Sequence, residues 1–233
     1  MIELSNLSVS RDNTTEVILK SITLQIPQGC SCALLGANGA GKTTLLLSLV
    51  GLAKILSGEA IICGTKLEKK NLRKIRNFVG LVFQNSDDQL FCTDVNEDIR
   101  FGLKCAGLNE DEIEQKAITA IEKLGIDNIQ ARTPDKLSEG EKKLAAICTV
   151  IASQAQILLL DEPSAQLDPR TKRNLTNTIN SLPHTKIIST HDIQFAQSTC
   201  QYAIILNEGK LAAYGKLSDI LSNTTLLEDC GLA

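Results

Sequence analysis

The chain lacks any apolar run long enough to cross a membrane as a helix. Its longest candidates, 157–160 and 202–206, fall far short of the ~20 residues that a span requires. The N-terminus shows no charged segment followed by an apolar one, so the expectation is a cytoplasmic chain whose membrane role, if it has one, needs a partner. There is no basic block either. Lys and Arg number 24 against 27 Asp and Glu, a net charge of −3, so no direct nucleic-acid partner is expected. The 8 cysteines contain no C-x-x-C pair and only 2 histidines stand beside them, which argues against a structural metal site or a disulfide framework; most thiols are expected reduced and packed in the core. No internal repeat or low-complexity tract appears.

What is present is enough for a sizeable core: 233 residues, 43% hydrophobic and 22% charged. Alternating apolar residues predict strands over 2–9 and 17–26, separated by the polar turn 11–15 and ended by Pro27-Gln28-Gly29. A helix is expected over 44–50, a strand over 60–63, a charged helical stretch over 67–76 and an apolar strand over 78–83. From 94 to 152 the pattern is helical, with segments over 95–105, 110–124 and 139–152. Strands return at 157–160, 186–189 and 202–206. Apolar strands alternating with helices predict an α/β fold whose open, mostly parallel sheet is covered on both faces, with an antiparallel β edge at the N-terminus and a helical insertion.

The most specific stretch is Gly36-Ala37-Asn38-Gly39-Ala40-Gly41-Lys42-Thr43, which fits G-x-x-x-x-G-K-S/T between an apolar strand and a helix. Glycines let the backbone turn its N–H groups inward, and the following helix adds the positive end of its dipole, so phosphate oxygens are favoured there. Lys42 is expected on the β- and γ-phosphates, Thr43 on Mg²⁺ and Thr44 on the α-phosphate side. The expected ligands are therefore ATP and Mg²⁺, on a P-loop NTPase core of RecA-like type.

A second element is the strand 157–160 delivering Asp161 and Glu162 at its carboxyl end, where ligands collect in such sheets. Asp161 suits the Mg²⁺ shell. Glu162, expected to point the other way along the strand, suits a base that polarises the attacking water. A third element, Ser138-Glu139-Gly140-Glu141, opens a helix and by itself reads as an ordinary capping box.

Taken in order, the phosphate loop, Gln84, Ser138 to Glu141, Asp161-Glu162, Asp168 and His191 resemble the nucleotide-binding subunits of ATP-binding cassette (ABC) transporters over nearly all of the chain. The resemblance implies an ATPase in which two subunits sandwich two ATP molecules head to tail. Ser138 and Gly140 would then meet the γ-phosphate held by the partner, His191 the γ-phosphate of its own site, and Asp168 the dimer interface. Gln84 would join the metal site to a membrane protein. It also implies one ABC-type domain, with a nucleotide-binding core over 1–84 and 154–233 and a helical subdomain over 85–153.

Within the family, 83–91 and 95–102, together with Glu141-Lys142-Lys143, look like the energy-coupling-factor and cobalt/nickel importer ATPases. That likeness implies an ATPase on the cytoplasmic face of the cell membrane, paired with an identical or paralogous copy. Membrane proteins would dock near 84–101, with Leu90 and Phe91 as apolar anchors. Readings as an exporter or lipoprotein-release ATPase, or as an ABC-type ATPase acting on DNA or ribosomes, stand as alternatives.

Two positions depart from the family pattern. Glu139 replaces a usual glycine and puts a carboxylate at a phosphate-binding helix start; turned outward it leaves the site intact, turned inward it repels phosphate, and the outward orientation is expected. The first turn lacks the usual aromatic against adenine, leaving Arg11 as the candidate for the base, so ATP and GTP are expected to be weakly discriminated.

Overall fold

The structure, a computed structural model, describes residues 1–10 and 16–232. In chain order the elements are β1 (Ile2–Ser10), β2 (Val17–Ile26), β3 (Ser31–Leu35), α1 (Lys42–Leu49), β4 (Lys54–Ile62), β5 (Thr65–Lys66), α2 (Leu72–Phe78) and β6 (Val79–Val82). Then follow α3 (Val95–Ala106), α4 (Glu110–Leu124), α5 (Glu139–Ala152), β7 (Ile157–Asp161), α6 (Pro169–Ser181), β8 (Thr185–Ser189), α7 (Ile193–Thr199), β9 (Tyr202–Asn207), β10 (Lys210–Lys216), α8 (Leu217–Leu221) and α9 (Thr224–Asp229).

Among the described residues ten strands make two sheets. One is antiparallel, in the order β2-β1-β4-β5; the other runs β10-β9-β3-β8-β7-β6 and is parallel except where β10 pairs with β9. In the parallel sheet β3, β7 and β8 are buried throughout, as strands covered on both faces must be. Side chains alternate across such a sheet, and the core divides accordingly. Leu158 and Leu160 of β7 join Ala33, Leu35, Ala203 and Ile205 in a cluster that takes in the apolar faces of α3, α4 and α5. Ile157 and Leu159 face the opposite way, with Cys32, Leu34, Leu45, Leu46 and the inner face of the antiparallel sheet. Each fully buried Leu or Ile contributes about 1.5–3 kcal/mol, so the sheet is held from both sides.

Helices α3 and α4 are bounded by local chemistry. Asp94 caps α3 through the Glu97 amide, Asn109 and Glu112 form a capping box on α4, and Gly107 and Gly125 end these helices in the left-handed region.

Several elements differ from the sequence expectation for identifiable reasons. The strand expected at 60–63 starts at Lys54, because pairing with β1 from Ile2↔Ile62 to Ser10↔Lys54 extends it beyond its apolar end. The helix expected over 67–76 starts later, after a short 3-10 turn, since the Leu67 amide is used by the Ala60 carbonyl. Phe78 closes α2 instead of opening β6, and Phe83 leaves the strand because its amide donates to the Gln89 side chain. Among the cysteines, half are core residues: Cys32, Cys148, Cys200 and Cys230 are buried, Cys30, Cys63 and Cys92 are half-buried, and Cys105 is exposed. Burial pushes the Cys32 and Cys148 thiols up to about 12. Leu90, expected as an apolar anchor for a membrane partner, is instead buried in the helical cluster; the ring that stands beside Phe91 is Phe101, edge to face at 5.1 Å between centroids. The 11–15 turn, with Arg11, lies outside the described residues. Among the described residues no helix is long and apolar enough to cross a membrane.

Candidate nucleotide site

The parallel sheet brings the carboxyl ends of β3, β7 and β8 side by side, and the loops leaving them build one open cavity of about 820 Å³. Gly36, Ala37, Asn38, Gly39, Gly41, Lys42, Thr43 and Thr44 line it from the first loop. Gln84, Asp161, Glu162 and His191 complete the wall; Ala40, expected with the loop, is buried beneath it.

Gly36 is dictated by close approach. A Cβ there would sit 2.3 Å from the Leu206 carbonyl oxygen, which β9 cannot move. The loop then runs straight into α1, whose first turn carries no side-chain cap and no acidic residue, so its free amides and dipole face the cavity. Lys42 is nearly buried and donates from Nζ to the carbonyls of Gly36 at 2.8 Å and Ala37 at 3.2 Å. It has no carboxylate within ion-pair distance among the described residues, an arrangement that leaves a desolvated cation in want of an anion.

The carboxylates are held in complementary ways. Asp161, 4% exposed, accepts from Thr43 Oγ1 at 2.8 Å on Oδ2 and from Ser189 Oγ on Oδ1. No Lys or Arg pairs with it among the described residues. A buried carboxylate carrying two hydroxyls and no cation suits a divalent cation, and the hard oxygen donors of Thr43 and Asp161 fit Mg²⁺. At Glu162 the backbone turns into the left-handed region, with φ +44°, and its amide donates to the Ser189 carbonyl at 3.0 Å. The strand alternation that predicts opposite directions for Asp161 and Glu162 therefore no longer applies, and both line the same cavity. Glu162 Oε2 lies 2.9 Å from His191 Nδ1, while the His191 side chain is 69% exposed at the mouth.

Ser138, Gly140 and Glu141 stand apart from this cavity, at the start of α5. Ser138 and Glu141 form the capping box: Glu141 Oε2 accepts from the Ser138 amide and hydroxyl, both at 2.8 Å, and these bonds hold the Glu141 carboxyl below its ordinary range. Glu139 pairs with Lys142 at 3.3 Å, and Lys142 in turn reaches Asp87 at 2.7 Å. Gly140 abuts α6, where a Cβ would lie 2.2 Å from Thr171 Cγ2. Asp168 caps that helix through the amides of Arg170 and Thr171 and the Thr171 hydroxyl, which lower its carboxyl pKa.

Sequence reasoning missed Ser189, whose only signal is its place at a strand end two residues before His191. It also missed Ile18, Gly231 and Leu232, which line the cavity and bear no motif.

A glycine-rich loop feeding a helix, with a threonine hydroxyl on a strand-end aspartate, defines a P-loop nucleotide hydrolase. The family model for ABC transporters matches residues 19–165. The chain belongs to the ABC transporter family, as an ATP-binding subunit and ATPase. It is 40% identical over 237 residues to the energy-coupling factor transporter ATP-binding protein EcfA of Methanothermobacter thermautotrophicus, covering 100% of this chain and 76% of that one. Among solved structures it is similar to cbiO1 from Clostridium perfringens, described as part of the ABC transporter complex cbiONQ, with TM-score 0.85 and 31% identity over 99% of this chain and 94% of that one. It is also similar to the cassette MJ0796 in a dimeric post-hydrolysis state bound to ADP and Pi, with TM-score 0.81 and 27% identity over 93% of this chain and 99% of that one.

Proposed function

We propose that this chain is the ATP-hydrolysing subunit of an energy-coupling-factor type importer, taking up a vitamin or cobalt/nickel, peripheral to the cytoplasmic face of the membrane. The observation that carries the catalytic half is the pairing of Glu162 with His191 beside Asp161 and Thr43 in one cavity. Lys42 and the loop amides bind the phosphates. Glu162 accepts the proton of the attacking water, and His191 orients that carboxylate at the γ-phosphate end. Thr43, Asp161 and Gln84 would hold Mg²⁺, which when bound neutralises charge on the β- and γ-phosphates. Arg11 is the candidate for the base.

The likeness to an energy-coupling factor ATP-binding protein along the whole chain supports the importer half. Two copies, or one copy and a paralogue, then face each other, with Ser138 to Glu141 of one across the ATP of the other and Asp168 at their interface. In this reading 1–84 and 154–233 form the nucleotide-binding core, and 85–153 the subdomain that meets the membrane protein. Phe91 and Phe101, an exposed aromatic pair within the 84–101 surface, supply the apolar contact for a membrane-protein helix.

The test is a mild-detergent pull-down of the tagged chain from its native membranes with Mg-ATP, followed by mass spectrometry. Recovery of a multi-helix scaffold with a compact substrate-capturing membrane protein is expected. Recovery of exporter, ribosomal or DNA-repair components instead would overturn the importer assignment and leave the ATPase.

A further inference from the structure

Lys143 is a lysine in the wrong place by ordinary rules. It lies in the second turn of α5, is 3% exposed, and has no carboxylate within ion-pair distance among the described residues. Desolvation of an unpaired ammonium is costly and draws its pKa downward, so the position is occupied at the expense of stability. What the ammonium does touch is specific. Nζ donates to the carbonyl oxygens of Phe83, at 3.1 Å, and Gln84.

Two further links join the same helix face to the same turn. Gln89 accepts from the Phe83 amide at 3.2 Å through Oε1, while its Nε2 donates to the Ala146 carbonyl and to Thr149 Oγ1, both at 2.9 Å. Lys142 pairs with Asp87. Positions 142, 143, 146 and 149 are spaced so that they share one side of a helix, and together they hold the turn at 83, 84, 87 and 89. The Gln84 side chain itself stays exposed and lines the nucleotide cavity. Its backbone is fixed from behind while its amide is free in front.

We propose that Lys143 is a positioning residue: it clamps the backbone at Gln84 to the helix that begins with Ser138, so that helix and turn move as one body. This rests on the reading of Gln84 as a contributor at the metal site and extends it. Any force on the start of α5 from the opposite nucleotide is then delivered to Gln84, rather than lost in a loop. Lys143 is not among the residues that line the nucleotide cavity, although it borders a smaller one with Gln84, Thr43 and Asp161, and in this proposal it acts through Gln84.

A double-mutant cycle on the purified full chain with Mg-ATP tests this, using Lys143→Met, Gln84→Ala and the pair. Lys143→Met should lower kcat about tenfold with KM for ATP within about twofold, since the cradle is untouched. The double variant should be no slower than the slower single one. As a control Lys186→Met, at another buried lysine that donates to the Leu182 carbonyl, should multiply with Gln84→Ala. Multiplying effects for Lys143 and Gln84, or an unchanged kcat in Lys143→Met, would overturn the clamp. A fully active Gln84→Ala chain would instead remove the reading of Gln84 on which it stands. Should Lys143→Met fail to fold, amide hydrogen exchange of the wild type decides: on adding Mg-ATP, protection at 84–90 and 140–147 should change together. A change in one segment alone, or in neither, refutes the clamp.

Discussion

Gly140 shows how a residue proposed to meet a phosphate can be demanded by the chain's own packing. Gly140→Ala places a Cβ 2.2 Å from Thr171 Cγ2, well inside contact distance, and Thr171 is a stiff β-branched residue tied by its hydroxyl to Asp168. Relief requires α5 and α6 to part by an ångström or more. Overpacking of this kind costs about 1–3 kcal/mol, and the helix-propensity gain of Ala over Gly returns about 0.5–1 kcal/mol, less at a helix start. The net destabilisation is about 1–2 kcal/mol. For a chain of this size that lowers Tm by roughly 2–8 °C, readable by differential scanning calorimetry. Thr171→Ser deletes the offending methyl and keeps the hydroxyl for the Asp168 cap, so the double variant should recover most of the loss. A Gly140→Ala chain as stable as the parent, or one not rescued by Thr171→Ser, would refute the packing argument. The rescued variant also separates packing from the proposed phosphate-facing role, because ATPase activity that stays low after stability returns belongs to the latter.

Three further outcomes are expected. Glu162→Gln should keep nucleotide affinity and lose at least about a hundredfold in kcat, measured by single-turnover phosphate release, because it removes the proposed base and leaves the cradle. Phe91→Ser with Phe101→Ser should leave Tm within about 2 °C, since both rings are exposed, and abolish co-purification of membrane partners. Glu141→Gln keeps the capping box but not its charge. The folded-state pKa of Glu141 lies below its ordinary value of 4.5, so its ionic contribution is present above that pH and is lost as pH falls through the lowered folded value. The stability gap between wild type and Glu141→Gln should therefore be present near pH 7 and close as pH falls from 4.5 through the lowered folded value, read as a narrowing difference in Tm. A gap that persists below that range would contradict the assignment.

Much of the architecture was legible because its elements are locally determined. Helices α4 and α5 begin at residues whose side chains cap them, so Asn109 and Ser138 announce their own boundaries. The buried strands β3, β7 and β8 read as apolar runs because both faces are covered. What could not be read depends on distant partners. The first half of β4 is a strand only because β1 pairs with it, and Leu90 is buried only because α3, α4 and α5 close over it. Around the cavity the same division holds. The phosphate loop, Asp161 and Glu162 sit in patterns that carry their chemistry, whereas Ser189 reaches Asp161 through adjacency of β7 and β8, which no spacing in the chain reveals.

Glu139 brings the two kinds of information together. From sequence alone it is a carboxylate at a helix start meant for phosphate, and its direction is a matter of rotamer. In the fold its nearest cation is Lys142, which Asp87 also draws, so the pKa of Lys142 is raised first by Asp87 and then by Glu139. Glu139 is thus engaged on its own chain, on the side of the Gln84 turn, and a share of its charge is neutralised before any nucleotide arrives. Because Glu139 and Asp87 compete for one ammonium, the carboxylate that replaces a glycine becomes a further tie in the contact between α5 and the turn. The departure from the family pattern therefore bears on how α5 is joined to the turn that carries Gln84.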